Sequence, residues 1–143
     1  ATEIDTDFNV NVHTDSNGVL MGGSGGHSDT AAGAGLAIII APLFRGRLPI
    51  LTDRVLCVST PGRDVDVLVT QRGIAVNPRR QELALRLKEA GLPVLPAEEL
   101  KAKAEKITGV PKRPAMTQKP LAKVIGRDGG LQDTVYMPRP ERP

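Results

Sequence analysis

Polar and apolar positions alternate at the start of the chain. In "EIDTDFNVNVHTDSNG", Ile4, Phe8, Val10 and Val12 fall on even numbers, the period of a half-buried strand. Asn17-Gly18 closes that strand with a turn. A glycine-rich loop follows, and "SDTAAGAG" is then able to open a short helix with Ser28 or Asp29 as N-cap, its length limited by Gly33 and Gly35. The continuous apolar run "LAIIIA" (36–41) predicts a strand covered on both faces. "LPILTDRVLCVSTPG" (48–62) reads as one or two strands ending at Pro61-Gly62, and "DVDVLVT" (64–70) as a further β-branched strand.

The period changes at Asn77-Pro78, an N-cap followed by proline at the first helical position. The helix "PRRQELALRLKEA" places Leu83, Leu87 and Ala90 on one face, with Glu82 and Arg86 paired outside and Gly91 ending it. A second helix, "AEELKAKAEKIT", turns Leu100, Ala104 and Ile107 inward and Glu99 and Lys103 outward. A hairpin around Asp128-Gly129-Gly130 and a frayed end, "PRPERP", complete the pattern. The expected fold class is α/β, an open mixed sheet with flanking helices. The helices are concentrated after residue 77, which leaves one sheet face short of cover and points to a partner or to a missing N-terminal half.

Composition narrows this picture. A chain of 143 residues suits one domain, and with two phenylalanines, one tyrosine and no tryptophan its core is built from Val, Leu, Ile and Ala. Residues 1–70 hold 8 acidic and 4 basic side chains, net −4, whereas residues 71–143 hold 8 and 15, net +7. The positive charges lie on helix faces and a proline-rich tail with no aromatic platform between them, which argues against nucleic acid. An acidic partner protein or a polyanionic small molecule suits them as well. The single cysteine, Cys57, lies in an apolar run and is read as a small buried hydrophobe. No apolar run reaches membrane-spanning length, no signal peptide opens the sequence, and a cytoplasmic setting is the default.

The chemistry concentrates in residues 18–35, "GVLMGGSGGHSDTAAGAG", which hold seven of the fifteen glycines. Gly22, Gly23, Gly25 and Gly26 allow the backbone to turn its amides toward one point, a nest for a phosphate, a carboxylate or an oxyanion. A flexible surface loop is the alternative. The loop lacks the Gly-Lys-Ser/Thr ending of a P-loop, and no long helix follows it as in a dinucleotide site. His27, Ser28 and Asp29 stand beside it, but Ser28 is not on a nucleophile elbow. His13 reads as a strand-face residue, and no histidine or cysteine spacing suits a metal.

"EIDTDFNVNVHTDSNGVLMGGSGGHSDTAAGAGLAIIIAPL" followed by "TPGRDVDVLVTQRGIAVNP" resembles the C-terminal part of the α subunit of bacterial citrate lyase. The likeness runs from residue 1 to about 137. More distantly, the sequence is similar to acetyl-CoA hydrolases and other CoA-transferases.

The resemblance implies a CoA-transferase-like C-terminal half-domain over 1–137, with a helical part at 72–110, a hairpin at 120–137 and a frayed tail at 138–143. It implies exchange of an acetyl thioester for citrate to give a citryl thioester on an acyl-carrier subunit. A CoA or dephospho-CoA-type thioester is then substrate, with no tightly bound cofactor and no metal. The implied partners are the β and γ (acyl-carrier) subunits and the N-terminal half of the α subunit.

Carried over by residue, the amides of Gly23, Gly25 and Gly26 are oxyanion-hole candidates. Gly22, Ser24, His27 and Asp29 join them in thioester and substrate binding, with roles inside the His27–Asp29 pair open. Thr70, Gly73 and Asn77 form the second motif, Asn77 with a competing role as helix cap. Arg45 and Arg47 are candidates for carboxylate or phosphate contacts, or simply solvated. The expected glutamate nucleophile is absent. "DSNG" (15–18) holds Asp15 as a turn residue, and Glu3 sits in a strand, so the nucleophile is expected outside this chain. The alternative functions are a non-catalytic scaffold or carrier-binding domain, or another CoA-transferase or thioester hydrolase.

Overall fold

A computed structural model describes residues 1–140. Its elements in chain order are β1 (Glu3–Asp5), β2 (Val10–Asn11), α1 (His27–Gly33), β3 (Ile38–Ile40), β4 (Phe44–Arg45), β5 (Leu48–Pro49), β6 (Leu51–Thr52), β7 (Val67–Thr70), β8 (Gly73–Val76), α2 (Gln81–Glu89), α3 (Ala97–Thr108), β9 (Met116–Ile125) and β10 (Leu131–Pro138). The architecture is mixed α/β. The strands divide into two three-stranded sheets, β2-β1-β6 and β3-β7-β8, and two hairpins, β4-β5 and β9-β10, where the sequence suggested one open sheet. Each three-stranded sheet has one parallel and one antiparallel pairing.

The expected first strand is in fact a tight hairpin. Asp5 accepts the amides of Asp7 (3.1 Å) and Asn9 (2.8 Å) on Oδ1, and Phe8 takes φ of 66° in the bend. Ile4 and Val10 therefore face each other across β1 and β2, and both are fully buried. Alternation survived because a hairpin of this length returns the chain with the same faces inward.

Ile4, Phe8, Val10, Leu43, Ile50, Leu51, Val65, Leu68 and Ala75 share one core with Ala97, Leu100 and Ala104 of α3. That helix binds both three-stranded sheets into a unit, and its exposed Glu99–Lys103 pair (3.1 Å) lies outside. Ile107 and Ala90, expected inward, are exposed, because each lies at the end of its helix beyond the sheet it covers. α2 buries none of its residues completely, and Leu83 and Leu87 are only half-buried. β3 also differs from expectation. It is an outer strand, Ile39 packs on the core, and Ile38 and Ile40 stay on an uncovered face, Ile40 80% exposed.

Gly62 shows how closely the backbone packs. A Cβ there would lie 1.9 Å from the Asp7 carbonyl oxygen. The C-terminal hairpin starts at Met116, four residues before the expected 120, and packs Val124 and Val135 on Cys57 in a second, smaller core. Burial pushes the Cys57 thiol up to about 12, with the Asp133 carboxylate adding to the effect. Of the tail expected to fray, Pro138 ends β10 and Arg139 donates its amide to Ala115 (2.7 Å), while 141–143 lie outside the described residues.

Candidate functional site

The glycine loop is held at its base and open at its tip. Asp15 Oδ1 accepts the amides of Asn17 and Val19, both at 2.9 Å, so the "DSNG" turn is carboxylate-organised. Met21 donates back to the His13 carbonyl at 2.8 Å. Beyond it Gly22, Gly23, Gly25 and Gly26 are exposed, Ser24 is half-buried, and Gly25 adopts φ of 57°, where a side chain is strained. None of the five amides from Gly22 to Gly26 donates to another described residue. The loop thus leaves these donors unengaged by the described protein immediately before a helix.

α1 begins at His27 with Gly26 as its N-cap, so neither Ser28 nor Asp29 caps it. The reason is tertiary. His27 Nδ1 lies 2.7 Å from Thr60 Oγ1, which draws residue 27 into the first turn. His27 and Asp29 do not pair. Asp29 points to solvent, and no ion pair with a described residue holds it.

His13 makes the matching contact one residue earlier, its Nδ1 2.5 Å from Ser59 Oγ. It lies just after β2, and its ring is anchored instead of lying on a strand face. Both imidazoles are held below the ordinary histidine pKa. For His27 the cause is burial first, then the nearby α-amino group and His13; for His13 it is burial, partly offset by Asp133.

The segment that seats both histidines is clamped by the C-terminal hairpin. Asp133 Oδ2 accepts the Val58 amide at 2.6 Å, and Gln132 Nε2 donates to the carbonyls of Val58 (2.9 Å) and Ser59 (2.8 Å). Ser59 and Thr60 are buried, so their hydroxyls need partners inside the protein. Beside His27 a cavity of about 400 Å³ opens between one side of α1 and its C-cap (Thr30, Ala31, Ala34) and the start of β3 with the residues before it (Leu36, Ile38).

The second motif lies elsewhere. Thr70 Oγ1 donates to the Gly73 carbonyl (2.8 Å) and accepts the Arg72 amide (3.1 Å), closing the β7–β8 turn. Gly73 is buried, and a Cβ on it would come within 2.9 Å of Leu95. Three strand residues, about 10 Å of rise, separate that turn from the Ile38–Val67 end of the sheet that α1 feeds. The helix expected from Pro78 opens as a 3₁₀ turn, Pro78–Arg80, before α2; Asn77 accepts the Arg79 amide (3.2 Å) as the cap of that turn and donates through Nδ2 to the carbonyls of Gly62 and Val65, both at 2.9 Å. Arg45 and Arg47 are exposed on the β4–β5 hairpin, where Arg45 reaches the Ala1 carbonyl at 3.5 Å.

Sequence reasoning passed over Ser59, Thr60, Asp133 and Asp66. Asp66 is the strongest anchor near the site. It accepts the Ala37 amide (2.8 Å) and bonds to Arg79 (2.5 Å) and Arg80 (2.7 Å), fixing the entry to β3. Burial alone would raise its pKa. The hydrogen bonds from Arg80 and Ala37 and the charges of both arginines outweigh that and hold the carboxyl below its ordinary value. The available signal was polar residues set inside apolar runs, "CVST" and "VDV".

The family model of the citrate lyase alpha subunit matches residues 1–137. The citrate lyase alpha chain of Haemophilus influenzae is 53% identical over 136 residues, 95% of this chain and 27% of that protein. The Klebsiella pneumoniae alpha chain is 70% identical over 80 residues, 56% of this chain and 16% of its own length. A solved Streptococcus mutans structure, described as an alpha subunit of citrate lyase in complex with citrate, superposes with a TM-score of 0.93 at 48% identity. It covers 98% of this chain and 28% of its own. The matched part of the chain thus spans between 16% and 28% of the length of these relatives.

Proposed function

The chain belongs to the citrate lyase alpha-subunit family, and on that premise we propose that it supplies the anion-binding part of a CoA-transferase-like active site. The amides of Gly23, Gly25 and Gly26 receive the oxyanion that forms when a thioester carbonyl is attacked, and those of Gly22 and Ser24 extend the donor row. His27 meets a citrate carboxylate or the thioester oxygen at the rim, and Asp29 stands free to contact the thioester arm. The reaction is exchange of an acetyl thioester for citrate, giving a citryl thioester on the acyl-carrier subunit. The substrate thioester is of the CoA or dephospho-CoA type.

The observation that carries this reading is the run of amides from Gly22 to Gly26, none engaged by another described residue, beside an anchored histidine. The Streptococcus mutans relative, described with citrate, adds support. The nucleophile is supplied by the part of the alpha subunit outside this chain. That part packs on the uncovered face of β3, where Ile38 and Ile40 supply apolar contact area. The β and γ subunits complete the assembly.

Calorimetric titration with citrate and with acetyl-CoA, using this chain alone and joined to the remaining alpha sequence, tests the proposal. Saturable binding in at least the joined form is expected, and no binding in either form overturns it. The net +7 of residues 71–143 favours a second reading, a non-catalytic domain that docks an acidic carrier protein. That reading requires the joined form to assemble with its carrier yet show no transfer with any acid offered, whereas another transferase or thioester hydrolase would accept an acid other than citrate.

A further inference from the structure

The buried hydroxyl beside His27 settles where its proton must go. Thr60 is fully buried, and its Oγ1 has one partner among the described residues, His27 Nδ1 at 2.7 Å. A hydroxyl carries one proton to donate, and a neutral imidazole has one nitrogen that accepts and one that donates. If Nδ1 carried the proton, the Thr60 hydroxyl hydrogen would be left inside the protein without an acceptor, which native structures avoid. The satisfied arrangement has Thr60 donating to a bare Nδ1, and the imidazole proton then resides on Nε2.

The neighbouring pair obeys the same logic. Ser59 Oγ already accepts the Val12 amide at 2.9 Å, so its own proton is available for His13 Nδ1. Burial, and after it the nearby His13 ring, also disfavour a second proton on the His27 ring.

We propose that Thr60 is a positioning residue that fixes His27 as a neutral Nε2–H donor, presented to a carboxylate or thioester oxygen at the rim of the site. The choice of ligand rests on the function proposed above; the tautomer does not. It follows that His27 donates a hydrogen bond and takes no proton. Nδ1 is engaged by Thr60, Nε2 is already protonated, and Asp29 is not paired with either nitrogen.

Long-range ¹H–¹⁵N correlation spectra of the ¹⁵N-labelled chain, recorded above neutral pH, read the tautomer directly. The expected result is Nε2–H for His27 in the native protein and a shift toward Nδ1–H in Thr60→Val, with Thr60→Ser restoring the native signature. An Nδ1–H ring in the native protein overturns the proposal whether or not the valine variant folds. An unchanged ring in a folded Thr60→Val overturns it as well.

Added citrate is expected to move the His27 Nε2 resonance, and its affinity to fall about tenfold in Thr60→Val and recover in Thr60→Ser. Citrate that binds without moving that resonance removes the donor role. If no citrate binds to this chain or to the joined form, the site's assigned function fails instead, and the tautomer is still decided by the spectrum.

Discussion

Two irregular stretches of similar length lie beside each other at the site and are held in opposite ways. Residues 22–26 are exposed, carry glycine at four of five positions and give none of their amides to the rest of the described protein. Residues 57–62 are mostly buried, and side chains from distant elements meet their polar groups: Asp133 and Gln132 on the backbone, His13 and His27 on the hydroxyls, Asn77 on the Gly62 carbonyl. Buried backbone outside helices and sheets still needs partners, here the Val10 backbone for Ser59 and Thr60 and side chains for Val58 and Gly62, whereas exposed backbone is satisfied by water or by a ligand. The glycine loop has its donors available because the neighbouring segment carries the structural demands.

Substitutions at the two stretches should therefore differ widely in effect. Gly62→Ala sets a Cβ against the Asp7 carbonyl, a rigid backbone atom, and is expected to cost about 3 kcal/mol or more in urea unfolding. A loss below about 1 kcal/mol would show that the β1–β2 bend yields easily and that the contrast is overstated.

Asp66→Asn leaves Arg79 and Arg80 without their carboxylate and weakens the anchor of Ala37. About 2 kcal/mol is expected, less than for a fully buried pair because both arginines are partly exposed. The sign with pH follows from the lowered carboxyl pKa. Its contribution is complete above the ordinary aspartate value of about 4 and is lost as pH falls through the lower folded value. Acid titration of stability should therefore be shallower in the variant than in the native chain, and parallel curves would contradict the assignment.

Gly25→Ala is the mildest change. The added methyl meets nothing within 4 Å, and the cost is confined to placing a side chain at φ of 57°, about 1 kcal/mol. Citrate binding in the joined form should weaken by more than this loss of stability explains, since the amide row is displaced. Equal, small effects on both would reduce the loop to a surface turn.

Much of the scaffold could be read from residue order. The Asn77-Pro78 start, the two helices, the Asp15–Gly18 turn and the hairpin around Asp128–Gly130 all arise from local chemistry, caps, period and turn residues, which neighbours in sequence suffice to define. The first strand and β3 were harder. A hairpin bend that preserves parity is invisible to alternation, and a run of isoleucines looks the same on a central strand and on an outer strand with one face uncovered.

At the site, the glycine loop and His27 stood out by composition, but their settings did not. That His27 bonds Thr60 and not Asp29, and that Thr70 and Gly73 close a turn about 10 Å along the sheet, depend on pairings between residues 33 or more positions apart or on sheet register.

Sequence alone determined which backbone is free to turn, that two helices follow Asn77, and which family the motifs resemble, because each depends on residues within a few positions of one another. Only the tertiary structure decided which polar groups are buried and who satisfies them. Ser59, Thr60, Asp66 and Asp133 look unremarkable in order along the chain. They become anchors when folding removes water from around them, and each is then satisfied by partners from other parts of the chain.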